Sequence, residues 1–315
     1  MKLIVTGASG FIGTNLVLGA PRDWDVVALY HESSGFPDFV KARGLDHVKA
    51  IGVDLTRPET FEGAFEGFPR EFDACVYLAA NGDPALSARD PLLDISKTTC
   101  TLVNFLERFR IGRFIYMSSG AVYDGLKGPV SPRSNISPTL PYSISNQAAE
   151  QYIKFYALKK KTVTEYVILR FFGAYGPFEP GRKIYTKLTR AFGMEGRNTF
   201  TIRGNGKNLI DAMYVGDAVE ALISVIRSTE KNVTMDFCSG TPLTINELVM
   251  EAARAFDVEN SRVIHEGSVP EYIQFLPSPL EMLETFGFSP KTPLVEGLLK
   301  LHSFLTAGHT PGEKE

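Results

Sequence analysis

The sequence is poor in three features that often mark a protein's class: cysteine, net charge and long apolar runs. Its three cysteines, Cys75, Cys100 and Cys238, are far apart in apolar segments, so we expect buried, reduced thiols and neither disulfides nor a metal site. A formal net charge of −3 gives no electrostatic reason to expect nucleic acid or an anionic membrane as a partner. No apolar run approaches about 18 residues, and an apolar strand begins at once, so we expect no membrane span, no signal peptide and a cytoplasmic protein.

The N-terminal stretch contains the motif around which the rest of the chain is organised. Residues 2–6 are too few and too rich in β-branched side chains for a helix, whereas residues 11–18 repeat apolar side chains at helical spacing. Three glycines join this strand to this helix. Gly7 permits a tight turn, Gly10 lets the backbone approach a pyrophosphate, and Gly13 lets the helix pack closely on its strand. The stretch therefore predicts a dinucleotide-binding turn.

Strands and helices alternate over the first part of the chain. Strands are predicted at 25–30, 48–55, 72–80 and 113–117, with a long helix at 91–109. The strand at 72–80 is almost continuously apolar, which indicates burial on both faces. With 44% apolar residues, the chain can bury a large core. We therefore predict an α/β fold with a doubly wound parallel sheet.

The residues that follow the second and third strands bear on the choice of dinucleotide. An acid at the end of the second strand would hold the adenosine ribose of NAD. This chain has Tyr30 and His31 there, with Glu32 slightly late and no arginine for a 2′-phosphate, so NAD and NADP both stay open. Asp54 ends the third strand, and its carboxylate is a candidate acceptor for an adenine amine.

Several motifs together resemble the extended short-chain dehydrogenase/reductases, and in particular their nucleotide-sugar epimerase and dehydratase branch. The resemblance covers nearly the whole chain and follows the family's order and spacing. It rests on the glycine turn, Asp54-Leu55, Leu78-Ala79-Ala80, Ser118-Ser119 through Tyr123, Tyr142, and the segments 169–177, 211–217 and 287–290.

The resemblance implies a Rossmann-type doubly wound sheet with a smaller C-terminal substrate lobe. Residues 1–170 would form the dinucleotide-binding domain, and residues 207–240 would return to it. The resemblance also implies that residues 171–206 and 241–308, which are rich in glycine and proline and have mixed patterns, would form the substrate lobe. The polar end, 309–315, is expected to be a flexible tail.

The resemblance assigns the chemistry to Tyr142 and Ser119. In the family a tyrosine exchanges a proton with a sugar or alcohol oxygen while the nicotinamide exchanges a hydride with the carbon, and the serine hydrogen-bonds the same oxygen. Dinucleotide contacts are implied for Gly7, Ser9, Gly10, Phe11, Ile12, Gly13, Tyr30, His31, Asp54, Leu55, Leu78, Ala79, Ala80, Lys97, Tyr142, Asn146 and Phe172. Substrate contacts are implied for Ser119, Gly120, Ala121, Tyr142, Gly173, Arg182, Lys187 and Arg203.

The sequence departs from the family at the lysine of the Tyr-x-x-x-Lys motif, where it has Asn146. The family lysine binds the nicotinamide ribose and lowers the pKa of the tyrosine, and an amide can do the first but has no charge for the second. Lys97 stands where the family usually has asparagine, so the two residue types look exchanged. We hypothesise that the Lys97 ammonium restores the field at Tyr142. The alternative is a surface lysine and a simple loss.

Two further departures concern the reaction and the substrate. Family dehydratases carry acids just after the active-site Ser/Thr, where this chain has Gly120 and Ala121, so we predict simple oxidoreduction or epimerisation. Ile210 replaces an arginine that grips the diphosphate of a nucleotide sugar, and Gly173 replaces a substrate-contacting asparagine. The predicted lobe offers other cations as substitutes: Arg182, Lys183, Lys187, Arg190, Arg203 and Lys207.

The sequence therefore predicts an NAD(P)-dependent epimerase, or 4-dehydrogenase or reductase, of a nucleotide-activated sugar. A reductase of a non-nucleotide carbonyl compound is a second interpretation, favoured by Ile210 and Gly173. A catalytically impaired dinucleotide-binding protein is a third, because of Asn146. The resemblance also implies a homodimer paired through the helices around 91–109 and 143–158.

Overall fold

A seven-stranded parallel sheet forms the centre of the computed structural model, which describes residues 1–269 and 273–308. Strands, numbered in chain order, are β1 Lys2–Thr6, β2 Asp25–Tyr30, β3 Val48–Gly52, β4 Glu71–Tyr77, β5 Arg110–Ser119, β6 Lys127–Pro129, β7 Val163–Phe171, β8 Ala174–Tyr175, β9 Thr199–Arg203, β10 Leu209–Ile210, β11 Met213–Tyr214, β12 Val233–Phe237, β13 Leu243–Thr244, β14 Arg262–Glu266 and β15 Gln274–Leu276. The sheet order is β12-β7-β5-β4-β1-β2-β3, which confirms the predicted α/β class.

Twelve α-helices lie in the described part of the chain, several continued by a tighter or wider turn. They are α1 Phe11–Gly19, α2 Phe36–Ala42, α3 Thr60–Ala64, α4 Pro84–Arg89, α5 Pro91–Asp94, α6 Thr101–Arg108, α7 Pro141–Phe155, α8 Ile184–Leu188, α9 Val215–Arg227, α10 Ile245–Ala255, α11 Leu280–Phe286 and α12 Leu294–Thr306. The π-helical turns are Ile95–Cys100, Tyr156–Lys160 and Thr189–Met194, and a 3₁₀ turn spans Gly120–Tyr123. Within these described residues, no helix is long and apolar enough to cross a membrane.

Alternate residues of the central strands enter two separate apolar clusters, one on each face of the sheet. Leu3 and Val5 pack with Leu16 of α1, whereas Ile4 packs on the opposite face with Phe105 of α6. The strands are apolar at successive positions because helices cover both faces. This two-sided burial makes the sheet doubly wound, as predicted.

The carboxyl ends of the strands meet at one edge of the sheet and create the crevice in which the candidate site lies. The strand order changes direction between β1 and β4, where Thr6 pairs in register with Tyr77. On the other side of β4, Ser119 at the end of β5 pairs with Phe171 at the end of β7. A parallel sheet of this kind binds ligands where the strand order reverses.

A third apolar cluster lies apart from the sheet. Its buried members come from the two segments predicted for the substrate lobe: Tyr175, Tyr185, Leu188, Phe192, Ile202, Leu248, Val249, Ala252, Ala253, Leu298 and Leu301. Between those segments the chain returns to the sheet, because β12 pairs with β7. The domain boundaries themselves stay a prediction, and the predicted tail at 309–315 lies outside the described residues.

All three cysteines are free thiols, and one of them corrects the sequence-based expectation. Cys75 and Cys238 are buried, as expected, but Cys100 is exposed. The predicted long helix at 91–109 is divided by the π-helical turn 95–100, and Cys100 lies at its exposed side next to the buried Thr101. No cluster of three or more metal-ligating side chains is found among the residues that the structure describes.

Candidate functional site

The three N-terminal glycines form a cradle that side chains would fill. Gly7 has a φ of +64°, and a Cβ there would lie 3.2 Å from the amide nitrogen of Ala79. A Cβ at Gly13 would lie only 2.3 Å from the carbonyl oxygen of Gly7. Gly10 precedes α1 in an extended conformation. The first N–H groups of α1, which begin at Phe11 and have no partner within the helix, therefore face the glycine cradle.

A groove runs from this cradle along the ends of β2, β3 and β4. It consists of two adjoining clefts of about 310 and 400 Å³. Its lining includes eleven of the residues for which a dinucleotide contact was predicted: Gly7, Ser9, Gly10, Tyr30, His31, Asp54, Leu55, Leu78, Ala79, Ala80 and Lys97. It also includes residues that the sequence did not single out as contacts: Leu29, Glu32, Ser33, Val53, Thr56 and Thr101. Of these, Glu32 had a visible signal, because it closely follows the second strand.

Asp54 is held by its own turn and faces His31 across the groove. One carboxylate oxygen, Oδ1, accepts hydrogen bonds from the Thr56 amide at 2.9 Å and the Thr56 hydroxyl at 2.6 Å. The other, Oδ2, lies 3.5 Å from Nε2 of His31. Burial acts to raise the pKa of Asp54, but the Thr56 hydrogen bonds and the His31 and Arg57 charges outweigh it and hold the pKa below its usual value.

Ser119 and Tyr142 meet at the other end of the crevice. Ser119 is the last residue of β5, and its hydroxyl accepts a hydrogen bond from the Ala121 amide at 3.1 Å. Tyr142 is the second residue of α7, after Pro141. The two hydroxyls lie close enough for Ser119 to act on the pKa of the Tyr142 phenol. A strand end and a helix start thus bring the predicted pair together.

The environment of Tyr142 favours the neutral phenol over the phenolate. Burial is the largest influence on its pKa and raises it, and the nearby acid Asp94 raises it further. Hydrogen bonds with Ser119 and Asn146 act in the opposite direction without reversing the shift, so the pKa of Tyr142 stays above its ordinary value of 10.0. The phenol is therefore a proton donor at neutral pH.

Asn146 and Lys97 lie in different surroundings. The buried Asn146 amide accepts a hydrogen bond from the Tyr116 hydroxyl at 3.1 Å and donates one to the Tyr142 carbonyl at 2.9 Å. Lys97 is exposed on the π-helical turn 95–100 and lines the Asp54 end of the groove. The structure thus brings Asn146 to Tyr142, whereas Lys97 belongs to the wall of the groove.

Asp94 is a buried acid that sequence reasoning missed. Its Oδ1 accepts hydrogen bonds from the Asn81 side chain at 3.0 Å and the Ser87 hydroxyl at 2.6 Å. Its Oδ2 has no hydrogen-bond partner among the described residues, although the side chain is fully buried. Nothing in the local sequence distinguishes this acid from the exposed helix cap at Asp90, because its burial depends on α4 and α7 packing over it.

The residues after Ser119 leave no room for larger side chains. A Cβ at Gly120 would lie 2.8 Å from the ring of Phe172. Gly173, which follows that ring, has a φ of +140°, and a Cβ there would lie 3.3 Å from the Cβ of Ala212. The absence of an acid at position 120 and of an asparagine at position 173 therefore matches the backbone and the packing.

The predicted substrate-binding cations are not gathered in one place. Arg182 and Lys183 precede α8 and lie close enough to each other and to Glu179 and Asp83 for their charges to act on the pKa of Lys183. Neighbouring groups that displace water from the Lys183 ammonium are the largest influence on that pKa and lower it, although the residue is still exposed. Lys187 on α8 and Arg203 at the end of β9 are exposed as well.

A buried polar network lies directly behind Ser119. Glu150 of α7 accepts hydrogen bonds from Ser118 at 2.7 Å and from two nitrogens of Arg170 on β7, at 3.1 and 2.9 Å. Arg170 also donates to the Tyr123 hydroxyl at 3.0 Å, and Tyr123 donates in turn to Asp236. Burial raises the pKa of Asp236 to about 7, although Tyr123 and Arg170 counteract it.

Comparison with known proteins decides the family. A model described as "NAD dependent epimerase/dehydratase family" matches residues 3–237, which is more than half of the chain. The chain belongs to this family. The chain is similar to the UDP-glucose 4-epimerase of Mycolicibacterium smegmatis, which is 24% identical over 96% of the chain and 98% of that protein. The human dTDP-D-glucose 4,6-dehydratase is also 24% identical, over 95% of the chain and 88% of its own length.

Solved structures agree with this family assignment at the level of the fold. The UDP-glucose 4-epimerase of Thermotoga maritima, solved with UDP-glucose, superposes with a TM-score of 0.84 at 22% identity, covering 98% of this chain and 99% of that one. The UDP-glucose 4-epimerase of Thermus thermophilus, solved with NAD, gives 0.81 at 25% identity, covering 97% and 99%. The family resemblance expected from the sequence motifs is thus confirmed.

Proposed function

We propose that the protein is an NAD(P)-dependent epimerase, or 4-dehydrogenase or reductase, that acts on a nucleotide-activated sugar. The observation that carries the proposal is the neighbouring pair of Ser119 at the end of β5 and Tyr142 at the start of α7, placed in the same crevice as a glycine cradle. Relatives whose names include UDP-glucose 4-epimerase, and structures solved with UDP-glucose or NAD, support the substrate class.

The glycine cradle and the groove fit a nicotinamide dinucleotide. The cradle lacks the Cβ atoms that would occupy the path of a pyrophosphate, and the helix after it offers open N–H groups. When bound, the nicotinamide would accept or supply a hydride. We propose NAD over NADP, because the carboxylates of Glu32 and Asp54 line the groove and disfavour a 2′-phosphate.

In this proposal Ser119 orients the reacting oxygen and Tyr142 exchanges the proton with it. A neutral phenol donates a proton to a carbonyl oxygen during reduction, whereas oxidation of an alcohol requires the phenolate as base. Since Asn146 carries no charge and Asp94 is an acid, the site of this chain favours donation. Tyr142 therefore suits the reduction of a keto sugar better than the oxidative start of an epimerase cycle.

Dehydration is not part of the proposal, although some relatives are named as 4,6-dehydratases. Elimination of water needs an acid and a base placed across two carbons. Gly120 and Ala121 offer neither, and an acid at position 120 would collide with Phe172. The reaction is thus limited to hydride and proton exchange at one carbon.

The nucleotide diphosphate needs a cation that the chain does not supply at position 210. Ile210 is half-buried in β10, paired with Leu243 of β13. Lys183 is a replacement candidate beside the crevice, because its charge interacts with Asp83, which caps α4 just after β4, and Arg182 is its neighbour. We also retain Lys187 and Arg203 as candidates. If none of these cations binds phosphate, Ile210 and Gly173 instead favour a non-nucleotide carbonyl substrate.

A homodimer is also part of the proposal. Exposed apolar side chains lie on α5, on the π-helical turn after it, along one side of α7 and on the π-helical turn that continues α7: Leu92, Ile95, Ile144, Tyr152, Phe155 and Leu158. Such a patch on a soluble protein marks an interaction surface. It coincides with the helices through which the family resemblance implies pairing.

The first prediction concerns the pH dependence of the two reaction directions. Reduction of a 4-keto nucleotide sugar should be nearly constant from pH 6 to pH 9, because Tyr142 stays protonated below its raised pKa, whereas oxidation should rise with pH throughout that range. Asp94→Asn removes a negative charge, lowers the pKa of Tyr142 and should move the oxidative rise to lower pH. Steady-state rates with UDP, GDP and dTDP sugars measure both profiles.

The control for this experiment is Tyr142→Phe, which should reduce both directions at least about 100-fold with dinucleotide binding retained. Full activity of the phenylalanine variant would contradict the assigned role. If free UDP, GDP and dTDP do not compete with the substrate, the non-nucleotide interpretation replaces the nucleotide sugar. A wild-type protein that binds dinucleotide but turns over no carbonyl compound supports the impaired binding protein.

The second prediction tests the proposed compensation by Lys97. If its ammonium acts on Tyr142, Lys97→Met should move the oxidative pH profile upward by about one unit, which is a tenfold loss of rate at fixed pH. Lys41→Met, on the exposed side of α2, is the matched control and should change nothing. A weaker dinucleotide affinity with an unaltered pH profile would instead assign Lys97 to the groove and refute the compensation.

The third prediction concerns the apolar patch. The wild-type protein should elute as two chains of 34.7 kDa in size-exclusion chromatography with light scattering. The double variant Phe155→Glu, Leu158→Glu should be monomeric, because it places charges in the buried interface. Leu299→Glu, on the exposed side of α12, is the control and should stay dimeric. A monomeric wild-type protein refutes this part of the proposal.

A further inference from the structure

Asp124 connects the two segments that carry the reacting hydroxyls. It follows the 3₁₀ turn Gly120–Tyr123, which begins directly after Ser119. A single carboxylate oxygen, Oδ2, accepts three hydrogen bonds from the chain just before α7. The donors are the Thr139 amide at 2.8 Å, the Thr139 hydroxyl at 2.8 Å and the Leu140 amide at 3.0 Å. Asp124 thus closes the loop between β5 and α7 at its base.

The start of α7 has no side-chain cap of its own. Leu140 occupies the N-cap position and provides no side-chain cap, and the first turn contains no acidic residue. Because the Asp124 carboxylate takes up the Leu140 amide, it serves as a cap supplied by a distant segment. Charge-assisted hydrogen bonds of this kind are stronger than neutral ones. Tyr142 lies only two residues beyond the held amide.

The backbone of Asp124 is held by the 3₁₀ turn Gly120–Tyr123. The Asp124 amide donates to the Ala121 carbonyl at 2.9 Å, which completes the 3₁₀ turn. Val122 and Tyr123 in that turn are fully buried. The carboxylate is therefore anchored to the segment that holds Ser119, and a loop of this length without such a contact would have greater conformational freedom.

We propose that Asp124 is a positioning residue, which sets the distance between the Tyr142 phenol and the Ser119 hydroxyl. The inference rests on the proposed function, in which Tyr142 exchanges the proton of the substrate. It goes beyond that function because Asp124 touches neither reacting hydroxyl. A displacement of about 1 Å in a reacting group lowers rates about 100-fold, so a tether at this place controls turnover more than binding.

The test compares Asp124→Ala with Asp124→Asn. The alanine variant should lower kcat about 10- to 100-fold while the substrate KM and the dinucleotide Kd change less than about twofold, because the groove lies at the ends of β1 to β4. The asparagine variant should retain kcat within about threefold, since its amide oxygen accepts the same three hydrogen bonds. An unchanged kcat in Asp124→Ala, or equal losses in both variants, would overturn the proposal.

A measurement without substrate separates this proposal from the proposed function. 3-Fluorotyrosine placed at position 142 of the full chain should give one ¹⁹F resonance in the wild type and in Asp124→Asn, and a shifted or multiple resonance in Asp124→Ala. If Asp124→Ala does not fold, Thr139→Val takes its place. This variant removes one of the three donors and should give a smaller change in the resonance of position 142. If these spectra differ as expected and no sugar is turned over, the proposed function is refuted, but the positioning role of Asp124 is supported. Identical spectra of the wild type and Asp124→Ala would refute the positioning role of Asp124, whatever the activity.

Discussion

The placement of α7 against the sheet depends on the buried ion pair between Glu150 and Arg170. Glu150 contacts both β5, through Ser118, and β7, through Arg170, so it fixes the rotation of the helix that carries Tyr142. Removing one partner of such a pair leaves an uncompensated buried charge, which is strongly destabilising. Loss of either partner would therefore disturb the helix that carries Tyr142, and the contact at Asp124 holds the same helix at its N-terminal end.

The chemistry of the site follows from the charges that surround one phenol. The family lysine would stabilise a phenolate. The Asn146 side chain in its place carries no charge and is hydrogen-bonded to the Tyr116 hydroxyl and to the Tyr142 carbonyl. The charged group that acts on Tyr142 is instead the buried acid Asp94. A site built in this way holds its proton and gives it to an acceptor. This is the physical reason why we propose a reductive reaction for this chain, since the fold alone does not fix the reaction.

The sheet and the glycine cradle were predictable because their causes are local. Apolar runs of strand length and glycines at 7, 10 and 13 encode geometry directly, and the motifs at Ser119 and Tyr142 follow them in order. The division of the helix at 91–109 by a π-helical turn and the exposure of Cys100 were not predictable, since they depend on packing. The same holds for Asp94 and Asp124, whose roles come from contacts with residues distant in sequence.

The proposed dinucleotide-dependent reaction is best tested by identifying the dinucleotide bound to freshly purified protein. The protein should be denatured, and any released nicotinamide dinucleotide identified, with its redox state, by mass spectrometry and fluorescence. We expect NAD or NADH, either retained on purification or bound on titration at micromolar concentration, with weaker binding of NADPH. A protein that carries no dinucleotide and binds none of the four nicotinamide forms would contradict this function, because no hydride donor or acceptor would then be bound beside Ser119 and Tyr142.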